Sequence, residues 1–272
     1  MKNFFTYTAV LILLSSCSDV IELDLNNTDS KLVIDAVMER NGELGVTFTR
    51  IQLTRSAGFY DEELVFVNDA TITITDANGN LTPIPFRADG VYDSNFPFIT
   101  INDPTENSYT LTVNDNGDLY TATENLELTV PFTEVEQQTI SGFGDDITEI
   151  TAFFTDPEGF GNYYLFEYTD IDNEEVDTRD DEFSDGNRTQ TTFFIEEAVP
   201  GTVATIRIKG IDQRCFSFYE TLLQQAGEGD GGPFATQPAV VRGNIINTTD
   251  SARFPFGYFR ISEVFEVDYT IE

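Results

Sequence analysis

The chain has 272 residues, with 48 acidic side chains against 14 basic ones, and its formal net charge is −34 at pH 7. A surface this negative repels phosphate backbones, so the composition argues against nucleic acid as a partner. There is no His, which excludes Ser-His-Asp and Cys-His nucleophile systems and all metal sites that need an imidazole. With 24 Phe and 11 Tyr, the chain has ample material for a packed core.

Residues 1–16 are predicted to be a lipoprotein signal peptide. Lys2 supplies a positive charge, and the uncharged apolar run at 4–14 is too short to cross a hydrocarbon core of roughly 30 Å. Leu14-Ser15-Ser16-Cys17 resembles a lipobox, in which the Cys is diacylated before cleavage. We therefore predict that Cys17 is the lipidation site and that its acyl chains anchor the protein in the outer-membrane bilayer. An ordinary secretory peptide is the alternative.

An acidic tether is predicted at residues 17–30. Its acids Asp19, Glu22 and Asp24 resemble the export signal of Bacteroidota surface lipoproteins, whereas a merely flexible tether is the alternative. With Cys17 acylated, Cys215 is the only remaining cysteine, so no intramolecular disulfide can form. Because aromatic residues follow Cys215, we expect a buried thiol rather than a reactive one.

Alternation of apolar and polar residues predicts an immunoglobulin-like β-sandwich over residues 31–130. Its strands are expected at 31–38, 45–53, 70–75, 108–113 and 119–122. Three Asn-Gly pairs follow strands of this region: Asn41-Gly42, Asn78-Gly79 and Asn116-Gly117. Both residue types tolerate the positive φ of a type I′ turn, so we expect tight turns at these pairs.

The alternating strand pattern pauses at residues 130–132, and a Gln- and Gly-containing stretch follows at 136–146. This interruption predicts a domain boundary after residue 130. Residues 131–272 are expected to form a second β domain, with strands at 147–155, 162–169, 189–195, 202–209, 257–264 and 265–271. One short helix is predicted at 213–226, because Phe216, Tyr219, Leu222 and Leu223 fall on one face. The predicted fold class is all-β: an immunoglobulin-like sandwich plus a second β-rich domain with one helix.

Residues 170–185 contain nine carboxylates and one Arg. Calcium binding is one interpretation, but an EF-hand needs Gly where Glu175 stands, so we favour a solvated loop joining two strands. The sequence has no P-loop, dinucleotide fingerprint or nucleophile elbow. We therefore predict no catalytic residue, no metal site and no cofactor. A surface hydrolase remains an alternative, and a desolvated Asp/Glu pair in one cleft would favour it.

The stretch at 232–245 is a Pro-containing extended loop that precedes an aromatic strand at 257–262. Together with the Leu32-Val33-Ile34-Asp35 strand, the 109–120 hairpin and residues 156–164, it resembles an uncharacterised family of Bacteroidota lipoproteins (domain of unknown function 4249). Genes of this family lie beside those of TonB-dependent receptors. The resemblance implies a surface-exposed outer-membrane lipoprotein that assists such a receptor in nutrient uptake without being an enzyme. It implies no catalytic residues.

Phe234 and Arg242 are the predicted partner-binding residues. Both belong to types that anchor interfaces, and the loop that carries them can present side chains without a sheet edge. The alternative for Phe234 is that it caps the core of the second domain. A purely structural surface protein is a further alternative for the whole chain.

Overall fold

The structure is a computed structural model that describes residues 30–58, 63–94, 99, 101, 108–140, 147–196, 198–227 and 240–272. Within these ranges the chain forms strands throughout and a single helix, which confirms the predicted all-β class with one short helix. Among these same residues, no helix has the length and apolar character needed to span a membrane.

The strands are numbered in chain order, and the first nine end at residue 125: β1 (Leu32–Asn41), β2 (Thr47–Arg55), β3 (Val65–Phe66), β4 (Thr71–Thr75), β5 (Leu81–Ile84), β6 (Phe86–Ala88), β7 (Val91–Asp93), β8 (Ser108–Asp115) and β9 (Asp118–Asn125). The others are β10 (Glu134–Ile140), β11 (Ile147–Thr155), β12 (Tyr163–Thr169), β13 (Glu174–Asp180), β14 (Arg188–Ile195), β15 (Val203–Ile211), β16 (Ile246–Asn247) and β17 (Phe256–Thr270). Helix α1 (Gln213–Gly227) follows β15.

These strands form one large mixed sheet and two smaller sheets. The large sheet runs in the order β13-β12-β15-β17-β1-β2-β7-β6, with β3 beside β2. The smaller sheets are β16-β9-β8-β4-β5 and β10-β11-β14. The alternation in β1 explains the packing, because Leu32, Ile34, Ala36 and Met38 are buried on one face while the residues between them face outward.

Each smaller sheet packs on a different part of the large one, so two sandwiches share a continuous sheet. The first core combines residues of β1 and β2 with residues of β4, β8 and β9, and the second combines β12 and β15 with β11 and β14. Strand β17 contributes to both. Phe259 and Ile261 lie in the first core, whereas Phe265 packs against the second.

Strand β17 joins the two sandwiches through its pairing. Its first part runs parallel to β1, from Phe256 to Val264, and its second part runs antiparallel to β15, from Val264 to Thr270. Strand β16 pairs with β9 of the first sandwich. The predicted division after residue 130 assigned β16 and β17 to the second domain, whereas their hydrogen bonds also tie them to the first. The reason is a long-range parallel pairing that local periodicity does not report.

Three predicted segments differ from the structure. Residues 134–140 form strand β10, although no strand was predicted there and residues 136–146 were assigned to the domain boundary. Residues 174–180 form strand β13 within the stretch that was predicted to be a loop. The two strands expected at 257–264 and 265–271 are one strand, β17, whose Ser262 and Glu263 are buried at the junction of the two sandwiches.

The three Asn-Gly pairs have different backbone geometries. Asn116 and Gly117 both have positive φ, at 51° and 89°, and join β8 directly to β9 as expected of a type I′ turn. At the second pair only Gly79 is positive, and at the first pair neither residue is. Gly42 is required for a different reason, because a Cβ there would lie 2.3 Å from the ring of Phe265.

Candidate functional site

Helix α1 lies on the outer face of the large sheet. Asp212 is its N-cap, since the carboxylate accepts a hydrogen bond from the backbone N–H of Cys215 at 2.8 Å. The outer cluster beneath the helix contains Leu165, Ile211, Cys215 and Tyr258, with Tyr163, Phe216, Phe218 and Tyr219 packed against it. The buried position of Cys215 is confirmed, and burial raises the pKa of its thiol to about 12. Leu222, one of the four residues of the predicted apolar helix face, is 41% exposed.

A pocket of about 690 Å³ opens between α1, the start of β17 and the outer face of β1. Most of the lining residues are apolar or aromatic: Val33, Phe218, Tyr219, Leu222, Val240, Val241, Phe256 and Tyr258, with Gly257, Gln225 and Asp35. The ring centroids of Phe218 and Tyr258 are 5.0 Å apart, and those of Phe218 and Tyr219 are 5.5 Å apart. Pockets that bind small molecules have this size and this largely apolar lining.

Asp35 is the one charged side chain among the residues that line the pocket, all of which lie in described parts of the chain. It is accessible to solvent, yet the surrounding protein desolvates it enough to raise the pKa of its carboxyl, against the opposing charges of Arg260 and Arg50. Within the described ranges its carboxylate accepts no hydrogen bond and forms no ion pair. The pocket therefore holds one carboxylate that has no partner in the described part of the chain.

A buried network of charges adjoins Asp35 on the same face of the sheet. Glu39 Oε1 accepts hydrogen bonds from Arg260 Nη2 at 2.6 Å and from Lys209 Nζ at 2.8 Å. Lys209 Nζ also donates to Glu167 at 2.5 Å. The side chains of Lys209 and Arg260 are only 4% and 7% exposed.

The two cations set the ionisation of Glu39. Burial raises its pKa, but the positive charges of Arg260 and Lys209 outweigh burial and lower the pKa to about 2. For Arg260 the two effects are also opposed, because burial lowers its pKa and the negative charge of Glu39 raises it. The pKa of Arg260 is raised overall. Glu39 and Arg260 are therefore both charged at neutral pH.

A second pair of acids tests the hydrolase alternative. Burial raises the pKa of both Glu124 and Glu127, and the charge of Asp212 raises each further. The cavity that both line has a volume of only about 10 Å³, which is about the space of one water molecule. Asn244 Nδ2 also donates to Glu124 at 2.6 Å. This cavity is therefore too small for a sugar or a peptide.

A third group of acids lies at the turns that precede β12 and β14. Asp156, Asp181 and Asp185 each offer a carboxylate oxygen, and these three oxygens lie within 4.8 Å of one another. They are the described residues best placed to hold a metal ion. Sequence reasoning considered residues 170–185 as a possible calcium loop but missed Asp156, which is distant in the chain.

Hydrogen bonds within these turns explain the same arrangement without a metal. Asp181 accepts from the backbone N–H groups of Gly161 and Asn162 at 2.7 and 2.9 Å, and Asp185 accepts from that of Gly159 at 2.6 Å. Asp156 accepts from the Tyr164 hydroxyl and from the Gly186 N–H. Burial raises the pKa of Asp156, and the two neighbouring carboxylates raise it further.

Comparison with known proteins assigns a family. The family described as "Domain of unknown function (DUF4249)" matches residues 18–267. The chain belongs to this family. No curated protein matches the sequence of this DUF4249 chain.

Three solved structures align with parts of the DUF4249 chain. A two-domain fibronectin type III segment of chicken tenascin has 15% identity and a TM-score of 0.21, and the alignment covers 67% of this chain and 91% of that one. A cytokine receptor complex has 10% identity and a TM-score of 0.25, with 67% and 85% covered. The FN1–FN3 domains of chicken CNTN1 have 11% identity and a TM-score of 0.24, with 66% and 57% covered. Similarities at this level carry no argument for a shared function.

The predicted site residues of this DUF4249 chain lie partly outside the described residues. Cys17 and Phe234 fall outside them, so their roles stay predictions. Arg242 is exposed, and its guanidinium lies 3.7 Å from the ring centroid of Phe254. The ammonium of Lys31 lies 3.8 Å from the same ring. Arg242 therefore already has an intramolecular contact, which a partner would have to share or replace.

Sequence reasoning missed the pocket and its carboxylate. Asp35 was noted only as part of a strand motif, and apart from Val33 its neighbours in the pocket come from residues more than 180 positions later in the chain. The available signal was an acid on the outward face of a strand, and such acids are common. Only the tertiary contact between α1 and the sheet distinguishes Asp35 from the other acids of the chain.

Proposed function

We propose that this DUF4249 protein is a surface-exposed, lipid-anchored outer-membrane protein that acts as a non-enzymatic, ligand-binding partner of a TonB-dependent receptor in nutrient uptake. The observation that carries the binding role is the apolar pocket beside α1, whose size and lining suit a small ligand. The lipobox-like residues Leu14 to Cys17 support the anchor. The family resemblance to lipoproteins encoded beside such receptors supports the partner.

The pocket also connects the two predicted interactions. Val240 and Val241 line it, and they belong to the same segment as Arg242, a predicted receptor contact. A receptor that contacts this segment would lie beside the ligand pocket. Anchoring both proteins in one membrane raises their effective concentration, so a weak contact would still be well occupied.

Lipidation and display are tested first. Cys17→Ser should abolish incorporation of labelled palmitate and release the protein from the membrane fraction. Protease added to intact cells should degrade the wild-type protein. Unchanged labelling of the variant would refute lipidation, and full protection from the protease would place the protein on the periplasmic side.

The receptor contact is tested by co-purification. The double variant Phe234→Ala, Arg242→Ala should lose the receptor while it keeps its melting temperature. A matched control is Phe183→Ala, Arg188→Ala. Phe183 is 93% exposed, and Arg188, like Arg242, lies over a ring, at 3.9 Å from the centroid of Phe153. Receptor loss in both double variants, or in neither, would contradict the proposed contact.

A further inference from the structure

We infer that the pocket beside α1 binds a small organic cation, namely an ammonium group carried on an apolar or aromatic body. This inference rests on the proposed function, because it names the ligand class of the same pocket. Its basis is the combination of one unpaired carboxylate, Asp35, with walls that are otherwise apolar or aromatic.

The distribution of charge favours a cation over an anion. No Lys or Arg lines the pocket, and the two nearest buried cations, Arg260 and Lys209, are already bound by Glu39. Lys209 is bound by Glu167 as well. Among the described residues of this part of the sheet, Asp35, Glu39 and Glu167 therefore face two buried cations, with Arg50 as an exposed third. An ammonium group would give Asp35 the direct partner that it lacks among the described residues.

Arg50 is a further cation whose charge lowers the pKa of Asp35. It is exposed on β2, where its Nη2 donates to Gln52 at 3.1 Å, and it forms no ion pair with Asp35. Arg50 is not among the residues that line the pocket. The carboxylate therefore remains available from the pocket side. The net charge of −34 would also raise the local concentration of a cationic ligand.

The aromatic walls suit the remainder of such a ligand. Phe218, Tyr219 and Tyr258 form a connected group of rings at the pocket wall, and Phe256 adds a fourth ring. The faces of aromatic rings attract ammonium groups, and the rings also bury an apolar body. Leu222 and Val240, 41% and 64% exposed, offer further apolar surface that a ligand would cover.

The test uses three probes of similar shape and different charge on the purified, detergent-solubilised lipoprotein: phenethylammonium, phenethyl alcohol and 3-phenylpropionate. Calorimetric titration should show the order cation, neutral, anion, from tightest to weakest. Asp35→Asn should lower the affinity for the ammonium probe by about tenfold or more, because it removes a charged hydrogen-bond acceptor. The same variant should change the affinity for the alcohol by less than about twofold. Asp69→Asn is the matched control, since Asp69 is exposed and lies outside the pocket.

A second variant guards against a folding defect in Asp35→Asn. Leu222→Trp changes a partly exposed side chain at the pocket wall. It should lower the affinity for all three probes while the melting temperature is unchanged. Equal affinity for cation and anion, unchanged ammonium affinity in Asp35→Asn, or equal losses in Asp69→Asn would each overturn the inference. Because no receptor is present, failure here refutes the cation site, whereas failure of receptor co-purification refutes the proposed receptor contact.

Discussion

Replacing Glu39 with Gln should destabilise the protein strongly. Glu39 binds both Arg260 and Lys209, whose side chains are nearly inaccessible, and Lys209 alone keeps a second partner in Glu167. The variant therefore leaves the Arg260 charge buried without its counterion. The pKa of about 2, against an ordinary value of 4.5, corresponds to roughly 3 kcal/mol of stability at neutral pH. Removing one partner of a buried pair costs a similar amount, about 3–5 kcal/mol.

Urea denaturation at pH 7 measures this loss of stability, and the dependence of stability on acidic pH provides a second test. Because the pKa of Glu39 is lowered by folding, its contribution is fully present above about pH 4.5 and is lost as the pH falls towards 2. Glu39→Gln should lack this part of the acid dependence. The control Glu134→Gln removes an exposed ion pair with Arg188 and should cost less than about 1 kcal/mol. If Glu39→Gln costs no more than this control, the buried network does not stabilise the fold as reasoned.

Three further predictions concern local structure. Gly117→Val should destabilise the protein by about 1–3 kcal/mol in urea titration, because φ is positive at this position. Gly117→Asn should cost much less stability. Equal effects of the two variants would mean that the turn is wrongly described. Gly42→Ala should cost about 1–3 kcal/mol through its collision with the Phe265 ring, and Gly42→Ala combined with Phe265→Leu should lose less than the two single changes predict. With Cys17 acylated, Cys215 should stay unreactive to Ellman's reagent in the native protein and react once in urea; rapid native labelling would contradict its burial.

The strands with clear alternation were predictable from the sequence. Ile147–Thr155 forms a strand with the predicted bounds, and α1 was placed within one residue. The local periodicity of apolar residues predicts which face of a strand or a helix is buried. Strands β10 and β13 were missed because their many charged and polar side chains are exposed or only partly buried, so they lack an apolar stripe.

Features that depend on distant contacts could not be predicted. Ser262 and Glu263 look like a polar break between two strands, yet they are buried where the sandwiches meet, and Glu263 accepts a hydrogen bond from Arg40 at 2.5 Å. The same holds for the pocket, since Asp35 and Tyr258 become neighbours only through the parallel pairing of β1 with β17. A local pattern contains no information about such a pairing.

The central claim is that the segment beside the pocket contacts a TonB-dependent receptor, and site-specific photo-crosslinking in intact cells tests it most directly. A photoreactive residue at position 240 replaces Val240, which lines the pocket and is 64% exposed. The control position is 183, where Phe183 is 93% exposed and lies outside the pocket. We predict a crosslink to a TonB-dependent receptor from position 240 and none from position 183. No receptor crosslink from position 240, or equal crosslinks from both positions, would contradict the claim.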